Sequence, residues 1–560
     1  MSLQTVGWAA LLAASLQGPE PNFTSGDGPA RKFGVHEIVL AGDATGANPF
    51  DTLATVRFVP PSGPASAKTV HAFHDGGGAW RARVYVTEEG TWTWSSACAK
   101  DPGLDRKEGA FSARGSHLRG LLKVHPSNPR QWATDDGKWF LNLNDTAYPL
   151  FNGTAGDGQP IPFADFTEYV KDAAAQGITS FRAASIFYID DDAQAWKKFF
   201  FEDAEFSRFR LEHFQRTDAR LRWMLDHHPD LYVQFILFPR GSLWGKDEAV
   251  WQTFSEAVRE RLLRHMVARY AAYPQIFWLV VNDAHYGPEF PRHNAMAREV
   301  GKFLKDKDPW GHPVSTGPAR NRGFHFADED WATYLHLEHE HDLGAAECRK
   351  YASHPKPVFL GEDRYEHDHG SKRDPAFMRS WQRRLFWAWL LSGGSANYGG
   401  RFWTLHPYRQ SGTRVAKNPK NGVAFPKGLE GLDSVPHIPK YFAERKIELS
   451  RFEPASELVS DTSGGGTGSG APKAMRSGAE DLLIYHPNAA SEGRTADVDR
   501  TRKAGLRVDL RPFSSAFEVE WFRPEDGAAQ AGDRVKGGAV VDLTSPWVGG
   551  DVVVRLKAVR

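Results

Sequence analysis

Residues 275–285 read Gln275-Ile276-Phe277-Trp278-Leu279-Val280-Val281-Asn282-Asp283-Ala284-His285, an apolar run that ends in polar, ionisable side chains. The same form returns in Pro357-Val358-Phe359-Leu360-Gly361-Glu362-Asp363-Arg364. Outward from these two stretches, apolar strand candidates alternate with helical segments from Leu121 to residue 400. Strands are expected at 138–145, 178–187, 231–238, 275–283, 312–317, 332–341, 356–364 and 394–399. One helix opens on Asp374-Pro375, a cap followed by proline in the first turn, and carries Phe377, Trp381, Leu385 and Trp389 at helical spacing before Gly393-Gly394. Two more are expected over 205–226 and 248–271. Eight strands with intervening helices fit a closed parallel (β/α)8 barrel. An open doubly wound sheet is the rival, weakened because no glycine-rich phosphate turn follows the first strand. The link between the fifth and sixth strands, short and poorly helical, is the weak point of the count.

On both sides of this region the pattern turns all-β. Leu53–Val59, Trp80–Val86 and Thr91–Trp94 are short, partly alternating runs separated by Gly and Pro turns. After the loop Ser463-Gly464-Gly465-Gly466-Thr467-Gly468-Ser469-Gly470, strand candidates follow at Asp481–Tyr485, Leu506–Leu510, Phe517–Trp521 and Val552–Leu556. The expected architecture is multidomain, α/β plus all-β: an N-terminal β-sandwich over 30–118, a (β/α)8 TIM barrel over 120–452 and a C-terminal β-sandwich over 455–560.

Composition narrows the partners. Lys+Arg and Asp+Glu number 69 each, so no net field draws the chain to nucleic acid or an acidic membrane. The 19 Trp, 15 Tyr and 36 Phe suit sugar rings, whose C–H faces pack on aromatic planes, and equally suit aromatic-rich cores. Cys98 and Cys348 lie too far apart in sequence to imply a disulfide framework or a Cys-based zinc site. No apolar run is long enough for a membrane span. The stretch Val6–Leu16 resembles a secretory h-region without a basic n-region, so a secreted or periplasmic location is expected. The expected partner is a carbohydrate, no cofactor is implied, and the oligomeric state is left open.

Barrel enzymes carry their chemistry at the C-terminal ends of the strands. That rule selects Asn144-Asp145-Thr146 after strand one, Arg182 in strand two, Asn282-Asp283-Ala284-His285 after strand four and Glu362 after strand seven. Carboxylates ending strands four and seven face each other across a barrel mouth. Glycoside hydrolysis needs such a pair: one acid protonates the leaving oxygen, the other attacks the anomeric carbon or activates water. The plainer alternative is structural, with Asp283 capping the next segment and Glu362 pairing with Arg364 or Arg182. His336-Leu337-Glu338-His339-Glu340-His341 and Glu366-His367-Asp368-His369 contain metal-ligand types. On an extended strand, however, His336, Glu338 and Glu340 point one way and His339 and His341 the other, so sugar recognition is favoured over a metal site.

Several stretches resemble the apiosidase-like family of barrel glycoside hydrolases. They are Phe73–Trp80 and Gly90–Trp94 in the first domain, Phe140–Tyr148 in the barrel, and Val519–Gly527 with Ser545-Pro546-Trp547 at the end. The resemblance implies an N-terminal sandwich and a C-terminal module of the collagen-binding type, a label that carries no function here. It also implies Asp283 as acid/base and Glu362 as nucleophile. The wider clan has Asn-Glu where this chain has Asn282-Asp283; the shorter side chain reaches less far and leaves an inverting arrangement open. Asn144, Asp145, Arg182, Asn282, His285, Glu338, Tyr398 and Trp403 are expected to line the pocket, with Trp403 as the sugar-stacking platform. The leading expectation is hydrolysis of a plant or algal polysaccharide or oligosaccharide. The rivals are a catalytically silent sugar-binding barrel and, without any convincing Tyr or His arrangement, a polysaccharide lyase.

Overall fold

The computed structural model describes residues 29–43, 48–148, 150–151, 161–185, 200–238, 250–339, 342–363, 365–367, 375–401, 430–464, 468–490 and 497–559. Its centre is a ring of eight parallel strands: β1 Leu143–Thr146, β2 Ser180–Ala184, β3 Tyr232–Phe238, β4 Ile276–Val281, β5 Val314–Ser315, β6 Leu335–Glu338, β7 Val358–Glu362 and β8 Ala396–Arg401. Ladders join β5-β4-β3-β2-β1-β8 and β6-β7, all parallel. The two remaining seams are closed by Thr333 N–H donating to Val314 C=O at 2.8 Å and by Leu360 N–H donating to Ser395 C=O at 2.9 Å. With no edge left, the sheet is a TIM barrel.

Alternation along the strands separates inside from outside. β3 sends Val233, Phe235 and Leu237 into the shell beneath the helices, while Tyr232 and Ile236 face the interior. Among the described residues the helices longer than one turn are α1 Phe163–Ala175, α2 Leu211–His227, α3 Glu256–Tyr270, α4 Pro291–Lys307, α5 Ala346–Lys350, α6 Pro375–Leu390 and α7 His437–Glu444, with a single further turn at Val250–Thr253. The helix expected over 205–226 begins later, because Asp203 accepts from the Ser207 N–H at 2.7 Å and Phe206 sits at φ 58°, a turn no helix tolerates. The stretch 248–271 divides at Ser255, whose hydroxyl caps α3 by accepting from Val258 N–H. Between β5 and β6 there is no helix; turns packed on Phe324, Phe326 and Trp331 fill the gap.

The first expected strand, 138–145, is two pieces. Trp139–Phe140 belongs to a small antiparallel sheet with Leu122–Val124 and Trp132–Thr134, and the barrel strand starts only at Leu143. Leu122, Trp132 and Phe140 of that sheet pack on Tyr232, Phe277, Tyr334 and Phe359, which begin or precede barrel strands. The small sheet thus stoppers the N-terminal end of the barrel and leaves the opposite end for chemistry.

Two β-sandwiches flank the barrel. In the first, a five-stranded sheet (Ala30–Arg31, Glu108–Arg114, Gly90–Cys98, Ala54–Val59, Lys68–His71) covers a three-stranded one (Val35–Ala41, Ala79–Tyr85, Phe73–His74) over a core that includes Ile38, Val56, Phe58, Val84 and Trp92. It meets α2 and α3 through a buried ionic network in which Arg83 holds Asp218 and Glu37, and Arg269 holds Asp218 and Asp75. In the second, a sheet built on Lys473–Ser477, Asp481–His486, Val552–Ala558 and Ala516–Arg523 covers Val459–Asp461, Gly505–Asp509 and Val540–Thr544. Its outer face presents Tyr485 and Phe522 to Trp387 of α6, beside the buried Arg383–Asp551 pair at 2.6 Å. Among the described tryptophans, Trp92, Trp251, Trp278, Trp331, Trp381, Trp387 and Trp389 are fully buried, so much of the aromatic content serves cores.

Candidate active site

Above the stopper, the barrel interior is polar. Asn144 Nδ2 donates to the Ser180 hydroxyl at 2.7 Å, the amides of Asn144 and Asn397 meet at 2.7 Å, and the Thr146 hydroxyl lies 3.0 Å from Asn397. On the opposite side the hydroxyl of Tyr334 donates to the Trp278 carbonyl at 2.9 Å, so its oxygen accepts from Gln234 Nε2 at 2.9 Å. The same amide donates to His336 Nδ1 at 2.9 Å. His336 is neutral: burial first, then the Arg182 charge, hold its pKa well below the usual value. With Nδ1 accepting, the ring proton sits on Nε2 and points at Glu338 Oε1, 3.3 Å away.

Arg182, fully buried at the heart of β2, organises the layer above. Its guanidinium donates to Glu362 Oε2 at 2.6 Å, Glu338 Oε1 at 2.6 Å, the Gly361 carbonyl at 3.1 Å and the side-chain oxygen of Asn282. Glu362 receives two further donors: the Tyr148 hydroxyl at 2.6 Å on Oε2, and Arg320 on Oε1 at 2.5 and 2.9 Å. Tyr365 donates to the Tyr148 hydroxyl at 3.2 Å. Burial works against charge on Glu362, but the guanidiniums of Arg320 and Arg182 outweigh it and hold the carboxyl far below the usual range. Glu338 is driven the other way. Burial raises it, Arg182 only partly compensates, and the charges of Glu362 and Asp283 raise it further.

Asp283, two residues beyond β4, lies in the left-handed region at φ 54°, half-buried, and close enough for its charge to act on Glu338. Asn282 is buried against Arg182 and Tyr148, the latter at 3.5 Å. His285 lies at the rim, against Phe290 at 5.1 Å. The structure therefore brings Arg182, Asn282, Asp283, Glu338 and Glu362 together. Asn144 faces the interior but is locked below them in the amide belt. Asp145 and Tyr398 are corrections: they point out of the barrel, where Asp145 accepts from Tyr169 of α1 and Tyr398 donates to Glu366 at 2.6 Å. Each neighbours an inward residue, Asn144 or Asn397, and strand alternation puts adjacent side chains on opposite faces. Trp403 lies outside the described residues, as do Glu340 and His341 of the histidine-rich stretch.

Sequence reasoning missed Arg320, Tyr365 and the positioning roles of Gln234 and His336. Arg320 follows β5, within reach of the strand-end rule that selects Asp283 and Glu362. Among the described residues, no group of three His, Cys, Asp or Glu side chains is arranged to hold a metal ion, and no helix is long and apolar enough to cross a membrane.

None of the curated proteins matches the chain. Among solved structures it is similar to a glycoside hydrolase candidate from Bacteroides vulgatus, with a TM-score of 0.69 and 16% identity over 95% of this chain and 100% of that one. It is also similar to a glycoside hydrolase family 5 protein from Bacteroides vulgatus, with a TM-score of 0.58 and 14% identity over 79% of this chain and 93% of the other. At these identities the likeness speaks for the fold. A domain of unknown function, DUF5060, matches residues 29–99. The apiosidase-like catalytic domain matches residues 126–425, more than half of the 560, and the chain therefore belongs to the apiosidase-like family and is a glycoside hydrolase.

Proposed function

We propose that the enzyme cleaves a glycosidic bond in a plant or algal polysaccharide or oligosaccharide with retention of configuration, Glu362 acting as nucleophile and Asp283 as acid/base. The observation that carries this is the charge state of Glu362. A carboxylate held by two guanidiniums and a tyrosine hydroxyl stays ionised well below the usual carboxylate range and is a very weak base. Such a group is poorly suited to pulling a proton off water. It is well suited to attack the anomeric carbon and, as the anion of a strong acid, to leave again.

In the first step the Glu362 oxygen bonds to the anomeric carbon, the bond to the leaving oxygen breaks, and Asp283 gives its proton to that oxygen. In the second, Asp283 takes a proton from water, the water oxygen bonds to the anomeric carbon, and Glu362 is released. Asp283 suits the exchanging role because it is the partly exposed carboxylate of the cluster, where leaving group and water pass. Arg182 and Tyr148 would hold the nucleophile, and Asn282 and His285 would contact the sugar. Polymers of this kind do not enter a cell intact, which favours a secreted or periplasmic enzyme. The shorter reach of aspartate at position 283 favours inversion as the second reading, with the carboxyls roughly 6.5–9.5 Å apart rather than about 5–5.5 Å.

The test begins with a panel of pectic, hemicellulosic and algal oligosaccharides scored for released sugar. On the substrate found, Glu362→Gln should lower kcat by about 10⁴-fold or more with the thermal unfolding profile preserved, and proton NMR of the first product should show the anomer retained. A Glu362→Gln enzyme turning over at the wild-type rate would sink the assignment.

A further inference from the structure

Glu338 is a carboxyl that the two-step scheme leaves without a task. It ends β6 directly beside Glu362, its Cα partner on β7, and its side chain is completely buried. Its Oε1 accepts from Arg182 at 2.6 Å and from the Nε2–H of His336 at 3.3 Å. The hydrogen-bond chain from the Trp278 carbonyl through Tyr334, Gln234 and His336 fixes that second donor. Its Oε2, by contrast, is buried with no hydrogen-bond partner among the described residues.

The charges around it are Arg182 from β2, Asp283 from the end of β4, Arg320 from beyond β5 and Glu362 from β7, with the hydroxyl of Tyr286 and the neutral His336 ring nearby. Among the described residues, three carboxyls thus face two guanidiniums. Glu362 engages both cations and Arg182 is shared, so the completely buried Glu338 keeps a proton of its own, beside the one that Asp283 carries for the leaving oxygen. Two adjacent buried carboxylates cannot both ionise cheaply. Because Oε1 is already occupied by two donors, the proton belongs on Oε2. A buried hydroxyl without an acceptor is costly until something polar reaches it.

Resting on the reading of Glu362 as nucleophile, we infer that Glu338 is a neutral carboxylic acid whose Oε2–H donates a hydrogen bond to one ring hydroxyl of the sugar bound against Glu362, making it a specificity-determining residue. A site built around such a donor discriminates strongly against a sugar lacking the matching hydroxyl, because the donor is then left unpaired.

Two measurements test this independently. Infrared difference spectra of the wild type minus Glu338→Gln, taken near neutral pH without substrate, should contain the C=O stretch of a protonated carboxylic acid; its absence overturns the charge state. The second uses the para-nitrophenyl glycoside the enzyme hydrolyses, together with the monodeoxy analogues of its sugar. One deoxy position should cost the wild type about 100-fold in kcat/KM but Glu338→Ala only a few-fold, and Glu338→Gln, which keeps a donor, should fall between. Equal deoxy penalties in wild type and Glu338→Ala at every position overturn the recognition role. The isosteric Gln variant keeps the infrared arm readable even where Ala weakens folding. Failure of the nucleophile reading shows separately, as turnover by Glu362→Gln, and does not move the infrared band assigned to Glu338.

Discussion

Glu338 and Glu362 are the same residue type on neighbouring strands, and their surroundings drive them in opposite directions. Glu362 collects two guanidiniums and a tyrosine, whereas Glu338 shares one guanidinium and meets two negative charges. Arg320 is the lever between these outcomes, since its charge heads the stabilising influences on Glu362. Activity requires ionised Glu362, so it falls as pH drops through the pKa of that group. Removing a cation raises this pKa. Arg320→Ala should therefore bring the acid limb of the kcat/KM profile up toward the ordinary carboxylate range, measured on any substrate the wild type hydrolyses. An acid limb that stays in place would show that Arg182 and Tyr148 suffice. At this scale the sequence showed where apolar runs break off in polar groups, as before Asp283 and Glu362. It was not readable at Asp145 and Tyr398, because a one-residue change of parity moves a side chain from the interior to the helix layer.

Among elements, the pairing of β6 with β7 decides the site. The register slips between Leu337 and Glu338, so that Glu338 stands opposite Glu362 rather than Gly361. Simple alternation would have turned Glu362 outward; the irregularity turns it into the mouth. Gly361 makes this possible, since a Cβ there would lie 1.7 Å from the Cε1 of the His336 ring. The ring cannot move aside without giving up Gln234 and Glu338. Gly361→Ala should therefore cost about 1–3 kcal/mol of stability and more than tenfold in activity, read by thermal unfolding and kinetics together. An alanine variant with unaltered melting and rate would mean that the ring has room the structure does not show. Helix starts followed local chemistry that a periodicity argument passes over, with Asp203 holding a turn ahead of α2 and Ser255 dividing 248–271 before α3.

For the whole molecule, the flanking sandwiches are tied to the barrel by buried ions as well as apolar contact. Arg83 and Arg269 bind Asp218 and reach Glu37 and Asp75 across the first interface. Burial opposes the charge on Asp75, but Arg269 and Arg81 prevail and lower its pKa from 3.8 to about 2. A carboxylate lowered in this way stabilises the docked state above its unfolded pKa, and the contribution, about 2 kcal/mol, is lost as pH falls through the folded value. The N-terminal sandwich should thus loosen between pH 3.8 and about 2, exposing the segment around Asp75 to pepsin ahead of the barrel. Asp75→Asn should show the same early cleavage at pH 4, because it leaves Arg269 short of a partner. Simultaneous cleavage of sandwich and barrel would argue against an ion-dependent interface.

What the sequence determined by itself was the barrel and its polar rim. Apolar runs near the length of a strand, alternating with helical stretches, have few ways to bury themselves, and each run broke off where its polar residues began. Six of the eight expected strands contain the observed ones; β1 runs one residue past its expected end, to Thr146, and β8 two residues past, to Arg401. Tertiary structure alone decided which of those polar residues share a volume and which carry charge. Arg182, Arg320, Glu338 and Glu362 come from four separate stretches of chain, and the proton balance among them depends on distances of about 3 Å across the closed barrel, as at Arg182 and Glu338, 2.6 Å apart. Electrostatic energies in a dry interior change steeply over such distances, and one-dimensional spacing contains no trace of them.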